Sequence, residues 1–188
     1  MAELYLASQS PRRTELLTQV GIDHIVVSST YEEPNEGYEN PTEMVKAQAL
    51  GKARYAVDVP DDGFVLGADT IVVLDGDVLG KPHNEDEARL MLQRLSGRVH
   101  SVITGVALLV KGKERIFHNE TKVYFKSLAP FEIESYIASG EPMDKAGAYG
   151  IQGKGALWVE KIEGSYTNVV GLPVEQVYDV LCEMLGAK

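Results

Sequence analysis

The segment Ala7-Ser8-Gln9-Ser10-Pro11-Arg12-Arg13 places two hydroxyls and two guanidinium groups where an apolar stretch becomes a helix start. The first turn of a helix offers unpaired backbone N–H groups and the positive end of the dipole, which suit a phosphate. Cations at that end work against the dipole, so Arg12 and Arg13 need an anionic partner. The plainer alternative is a capped surface helix whose arginines pair with nearby glutamates. Asp69 stands in the run Gly63-Phe-Val-Leu-Gly-Ala-Asp-Thr-Ile-Val-Val-Leu74, almost entirely apolar. A carboxylate there is costly without cationic or metal partners. It is a candidate general base, or a ligand for Mg²⁺, which combines carboxylates with substrate phosphates. Thr70 beside it donates or accepts a hydrogen bond. The alternative is a carboxylate facing solvent, since strand alternation sets Asp69 opposite Ala68.

Weaker signals surround these. Lys81, in Leu79-Gly80-Lys81-Pro82, ends a short return after Asp69. Lys46 and Lys52 share one predicted helix but fall on different faces, so only one of them faces a cleft. Glu32, Glu33, Glu36 and Glu39 form an acidic loop, either solvated surface or, opposite a triphosphate, a holder of Mg²⁺. Gly140, Gly147, Gly150, Gly153, Gly155, Gly164 and Gly171 crowd the last third of the chain. Glycine at this density lets backbone approach a ligand closely. Gln152 puts an amide donor and acceptor in that loop, suited to a base edge. A mobile linker is the simpler alternative, yet Asp144, Lys145 and Tyr149 decorate the segment heavily. No histidine pair has metal-ligand spacing, and neither a P-loop nor a Rossmann glycine pattern occurs.

These residues must be positioned by alternating strand and helix segments, which predict an α/β or α+β sheet. Strands are expected at Leu4–Ala7, His24–Ser28, Phe64–Leu74, Ser101–Val110, Arg115–Lys126 and Ala156–Ile162, with a short return before Gly80. Helices are expected from Pro11 to about Gly21, from Pro41 to about Val57 behind an Asn40 and Glu43 capping box, and from Asn84 to near Gly97. Two more run over Pro130–Ser139 and from Pro173 onward. At 188 residues the chain suits one domain or two small lobes around one site. It should bury roughly 70% of its unfolded surface, so no staple is required. The 28 acidic against 18 basic residues give a net charge of −10, which argues against duplex nucleic acid or anionic membrane as a partner. Cys182 is the one cysteine, and the N-terminus lacks a signal-peptide pattern, so the expected compartment is the cytoplasm.

The motifs LASQSPRR (6–13), GADTIV (67–72), GKP (80–82), LSGRVHSVITGV (95–106), GEPMDKAGAYGIQGKG (140–155) and GSYTNVVGLP (164–173) together resemble the Maf family of nucleotide pyrophosphatases, in order and over nearly the whole chain. The resemblance implies a single Maf-like domain over 1–188, an elongated mixed sheet flanked by helices with two lobes around a central cleft, and a homodimer. It implies hydrolysis of a nucleoside triphosphate to monophosphate and pyrophosphate with Mg²⁺ or Mn²⁺. By motif position, Asp69 would accept the proton of the attacking water and join Glu33 at the metal. Arg12, Arg13, Lys52 and Lys81 would hold the triphosphate, with hydrogen bonds from Ser8 and Ser10. Thr70 and Gln152, with an N-terminal arginine, would govern base selection. The Ala-Tyr-Gly-Ile-Gln-Gly loop looks like the branch preferring dTTP and UTP. A nucleotide-binding regulator of cell division or septum formation, without physiologically relevant catalysis, is the second reading.

Overall fold

The computed structural model describes residues 3–34 and 36–186. Its strands are β1 (Leu4–Leu6), β2 (Ile25–Val26), β3 (Phe64–Leu74), β4 (Asp77–Leu79), β5 (Val99–Val110), β6 (Lys113–Phe125) and β7 (Val159–Glu163). Its α-helices are α1 (Pro11–Gln19), α2 (Pro41–Arg54), α3 (Glu85–Leu95), α4 (Pro130–Ala138), α5 (Tyr166–Val170) and α6 (Val174–Met184). The sheet runs β2-β1-β3-β5-β6-β7, with β4 also paired to β3. β1 lies parallel to both β2 and β3, whereas β3 with β4 and β6 with β7 are antiparallel. This is a mixed α/β fold. No helix among the described residues is long and apolar enough to cross a membrane.

Two compact units form. The first comprises Met1–Thr70, Thr104–Asn119 and Gly171–Lys188; the second comprises Ile71–Ile103 and Glu120–Val170. Tyr5, Ala7, Val27, Ala49, Ala53, Val65 and Ala107 pack together in the first. The second is cored by Leu92, Leu95, Phe125, Tyr136, Tyr149 and Trp158.

Local chemistry sets the ends of the elements that matter here. Pro11 occupies the first position of α1, where a missing N–H is harmless. Gly21, at φ +71°, closes that helix. Ile22 N donates to Leu17 O at 2.9 Å and Gly21 N to Thr18 O at 3.1 Å, a Schellman closure. Asn40 Oδ1 accepts from Glu43 N at 2.9 Å to start α2. The reciprocal half of the expected capping box is absent, because the Glu43 carboxylate pairs with Lys46 at 2.7 Å instead. β3 forms over the predicted residues, and Lys111 and Gly112, both at positive φ, make the tight turn between β5 and β6.

Three expectations need correction. The His24–Ser28 segment forms strand only at Ile25 and Val26, opposite Tyr5 and Leu6, because β1 ends at Leu6, where Val27 N makes a last bond to Leu6 O at 3.0 Å. Ala156–Ile162 opens instead in a 3-10 turn, Lys154–Trp158, that buries Trp158 before β7 begins. Helix α5 was not expected; at Tyr166–Val170 it is too short to show a helical period.

Candidate active site

β1 ends early, and this exposes the middle of its neighbour. Leu6 pairs with Leu66, Ala7 N donates to Leu66 O at 2.9 Å, and β3 then continues to Leu74. Ala68, Asp69 and Thr70 therefore run past the point where the chain leaves β1 for α1. The connection from β1 goes to β2 on one side, while β3 pairs with β5 on the other. Where connections diverge in this way, the carboxyl ends of parallel strands leave a crevice that suits a ligand.

Arg13 sits at that divergence and is only 9% exposed. Its guanidinium donates through Nε to Gly171 O at 2.8 Å, through Nη1 to Ser8 Oγ at 2.9 Å and through Nη2 to Thr70 Oγ1 at 3.1 Å. Thr70 Oγ1 is also 2.8 Å from Thr104 Oγ1 and 3.3 Å from Gly171 O. Gly171 adopts φ +139°, a conformation closed to other residues, and this turns its carbonyl onto the arginine. Burial lowers the Arg13 pKa, Asp69 and Glu33 work against that, and Arg12 adds to it. Arginine nevertheless keeps its proton in proteins. Ser8 Oγ further accepts from Ser10 N at 3.2 Å, which fixes the loop. Ser10 caps α1 without a side-chain bond to its first turn. Arg12 is half-buried one residue before Arg13.

The opposite face of β3 carries a different arrangement. A Cβ at Gly67 would lie 2.2 Å from Ala49 O, and one at Gly105 2.2 Å from Val45 O, so two bare glycines let α2 rest directly on the sheet. Asp69 follows Gly67 by two residues and therefore shares its face, whereas Thr70 shares the face of Arg13. On α2, Lys52 meets Asp69: its Nζ lies 2.7 Å from Asp69 Oδ1 and 2.8 Å from Glu33 Oε1. The Lys52 and Asp69 side chains are 19% and 14% exposed, and Glu33 is half-exposed at 48%. Of the two lysines weighed from the sequence, Lys46 pairs with Glu43 on its own helix and Lys52 joins the acid cluster.

Sequence reasoning passed over the residues that hold this cluster. Gln48, one turn before Lys52 and fully buried, donates through Nε2 to Pro34 O at 2.8 Å and so ties down the chain beside Glu33. Tyr31 lays its ring on Gly51, where a Cβ would come within 2.2 Å of it. Burial first, then a hydrogen bond with Tyr38, pushes its phenol up to about 12. Thr104 and Gly171 were missed as well. A polar residue on the buried face of an otherwise alanine-rich helix was the available signal for Gln48.

No group of three or more His, Cys, Asp or Glu side chains among the described residues could hold a metal. Asp69 and Glu33 do, however, bring oxygens to one ammonium from two sides. Two carboxylates converging on a cation match the needs of Mg²⁺ or Mn²⁺ when phosphates and water fill the other positions. The donor set fits such an ion.

Lys81 and Gln152 belong to the second unit, and both are exposed. There Gly147 N donates to Gly80 O at 3.1 Å, so the Gly-Lys-Pro corner meets the glycine-rich loop.

These features define an α/β protein with a buried arginine and a lysine-bridged acid pair at the carboxyl end of its parallel strands. The Maf-like protein family matches residues 3–184, and the chain belongs to that family. It is 52% identical over 184 residues to a dTTP/UTP pyrophosphatase of Symbiobacterium thermophilum, covering 97% of this chain and 94% of that protein. It is 48% identical over 182 residues to the dTTP/UTP pyrophosphatase of Dictyoglomus thermophilum, covering 95% and 94%. A Bacillus cereus dTTP/UTP pyrophosphatase is 49% identical over 177 residues, covering 94% and 93%. Among solved structures, the Staphylococcus aureus Ham1 protein shares 14% identity, with 65% of this chain and 71% of that one covered at a TM-score of 0.45.

Proposed function

We propose that this chain is a nucleoside triphosphate pyrophosphatase that hydrolyses dTTP and UTP to the monophosphate and pyrophosphate. The observation that carries this reading is the bridging of Asp69 and Glu33 by Lys52 on one face of β3, with a buried arginine held by neutral oxygens on the other. It is supported by the names of the relatives, all matched over nearly their full length.

In this mechanism Arg13 is aimed in advance, because its fork is locked before substrate arrives. A fixed positive charge in a largely dry setting stabilises developing phosphate charge without reorganising. Arg12 and the hydroxyls of Ser8 and Ser10 add contacts at the start of α1. Asp69 takes the proton of the attacking water as the α–β anhydride breaks. A divalent ion, when bound through Asp69 and Glu33, would neutralise phosphate charge and polarise water. Lys52, shared by the two carboxylates in the free protein, donates to a phosphate oxygen when the triphosphate is bound. Lys81 and Gln152 keep the roles their motifs imply, a cation for phosphate and an amide for the base. The enzyme would act as a cytoplasmic homodimer.

The decisive experiment incubates purified protein and Mg²⁺ with a panel of nucleotides and identifies the products. Pyrophosphate released from dTTP and UTP is expected. Orthophosphate, or no turnover across the panel, would overturn the assignment.

A further inference from the structure

The glycine-rich loop is pinned at two points that lie symmetrically about Gln152. Before it, Gly150 N donates to the Tyr136 hydroxyl at 3.1 Å. After it, Lys154 N donates to Glu141 Oε2 at 3.3 Å. The two anchors are joined, since Tyr136 Oη donates to Glu141 Oε1 at 3.0 Å. One phenol–carboxylate pair thus holds the backbone two residues to either side of Gln152.

The glycines of the loop have sterically defined reasons to be there. A Cβ at Gly153 would lie 2.1 Å from Glu141 Oε1, so a side chain would expel the carboxylate. One at Gly155 would lie 2.4 Å from Gly150 O, where the loop closes on itself. Lys145 completes the frame: its stem lies against Gly150 and its Nζ donates to Glu141 O at 2.7 Å.

The anchors are themselves rigid. The Tyr136 ring, 2% exposed, meets Trp158 edge-on at 4.6 Å, and Trp158 ends the 3-10 turn that follows the loop. Ahead of the loop, Tyr149 stacks edge-on against Phe125 at 4.6 Å and shares a 2.7 Å hydrogen bond with His100 Nε2. Burial drives His100 down to about 4, which keeps it neutral beside the Tyr149 hydroxyl. Burial also pushes the Tyr136 phenol up, so it remains a donor to Glu141.

We propose that Tyr136 and Glu141 are positioning residues that fix the loop around Gln152 and thereby set which nucleobases are accepted. The inference rests on the reading of Gln152 as the base contact. Neither residue touches the reaction; each acts through the backbone that presents the amide. A glycine-rich segment without such anchors would sample many conformations and present Gln152 only part of the time.

The test measures kcat and KM for UTP and for ATP in four variants: Tyr136→Phe, Glu141→Ala, Gln152→Ala and Tyr136→Phe with Gln152→Ala. Tyr136→Phe keeps the ring against Trp158 and removes only the hydroxyl. It should lower the UTP-to-ATP preference about tenfold, through KM for UTP, with kcat for UTP held within about twofold. Glu141→Ala, at a half-buried position, should act in the same direction. Because the pair acts through Gln152, Tyr136→Phe should add nothing in the Gln152→Ala background. Additive losses, or a fall in kcat shared equally by both nucleotides, would overturn the inference. A loss of preference in Gln152→Ala alone, with both anchor variants unchanged, would overturn it while leaving the base contact standing. If Gln152→Ala keeps the full preference, the base contact itself is wrong and the inference falls with it.

Discussion

Arg13 and Lys52 are both cations of the first unit that approach β3, yet they are held in opposite ways. Arg13 is buried and its three hydrogen bonds end on neutral oxygens of Gly171, Ser8 and Thr70. Lys52 lies between two carboxylates, Asp69 and Glu33. The first arrangement keeps a full positive charge available for an incoming anion. The second carries one excess negative charge and invites a further cation to arrive with that anion. On the proposed reading, an acidic protein of net charge −10 handles a nucleotide by local construction, with one fixed positive point and one acid pair that a divalent ion would complete.

The largest expected effect comes from the acid side. Asp69→Asn keeps the shape and removes both the proposed proton acceptor and half of the acid pair. Turnover should fall roughly a thousandfold or more, with nucleotide binding measured by calorimetry largely retained. A fully active Asn variant would show that the water is activated elsewhere. Next is the arginine side. Arg13→Lys preserves charge and loses the planar fork that reaches three acceptors at once. A loss of about a hundredfold in kcat is expected, because the positive charge no longer sits where it was aimed. Buried acceptors left unpaired should also lower stability by about 1–3 kcal/mol, read from thermal unfolding. Near-normal kinetics in the lysine variant would mean that charge alone suffices.

Removing the ammonium sharpens the contrast further. Lys52→Met should lower kcat by about tenfold while reducing the Mg²⁺ concentration needed for half-maximal activity by a similar factor, since a like charge has left the acid pair. Chelation with EDTA should stop wild-type turnover, and added Mg²⁺ or Mn²⁺ should restore it. An unchanged Mg²⁺ dependence in Lys52→Met would separate the lysine from the ion's position.

Much of this was legible from residue types, and the gaps have physical causes. β3 was recognisable because a long apolar run bounded by Gly63 and Asp75-Gly76 leaves little choice of element. The helix starts at Pro11 and Pro41 follow from proline at the first helical position, joined at the second by the Asn40 cap, and both are local signals. β2 was overestimated because its length depends on how many residues β1 offers, a property of another segment. The choice between Lys46 and Lys52 was open for the same reason. Gly67 and Gly105 decide it by setting where α2 rests, and close approach of two backbones leaves no mark on spacing. Gly171, which accepts from Arg13, and Thr104, which meets Thr70, lie far along the chain from those partners, and the contacts become visible only in three dimensions.

Thr70 is where the two sources of expectation diverge, and it gives the subtlest test. Motif resemblance implies a part in base selection. Its hydroxyl is instead engaged by Arg13, Thr104 and Gly171, all on the arginine's face of β3. If Thr70 acts by holding Arg13, Thr70→Val should lower kcat about fivefold for every nucleotide alike, near 1 kcal/mol for the lost hydrogen bond. Thr70→Ser, which restores the oxygen, should stay within about twofold of wild type on the same scale. Kinetics on UTP and ATP decide the matter: a uniform loss assigns Thr70 to the fixed arginine. A changed ratio between the two nucleotides would instead return it to the base, and would mean that the Arg13 fork tolerates losing one of its neutral partners.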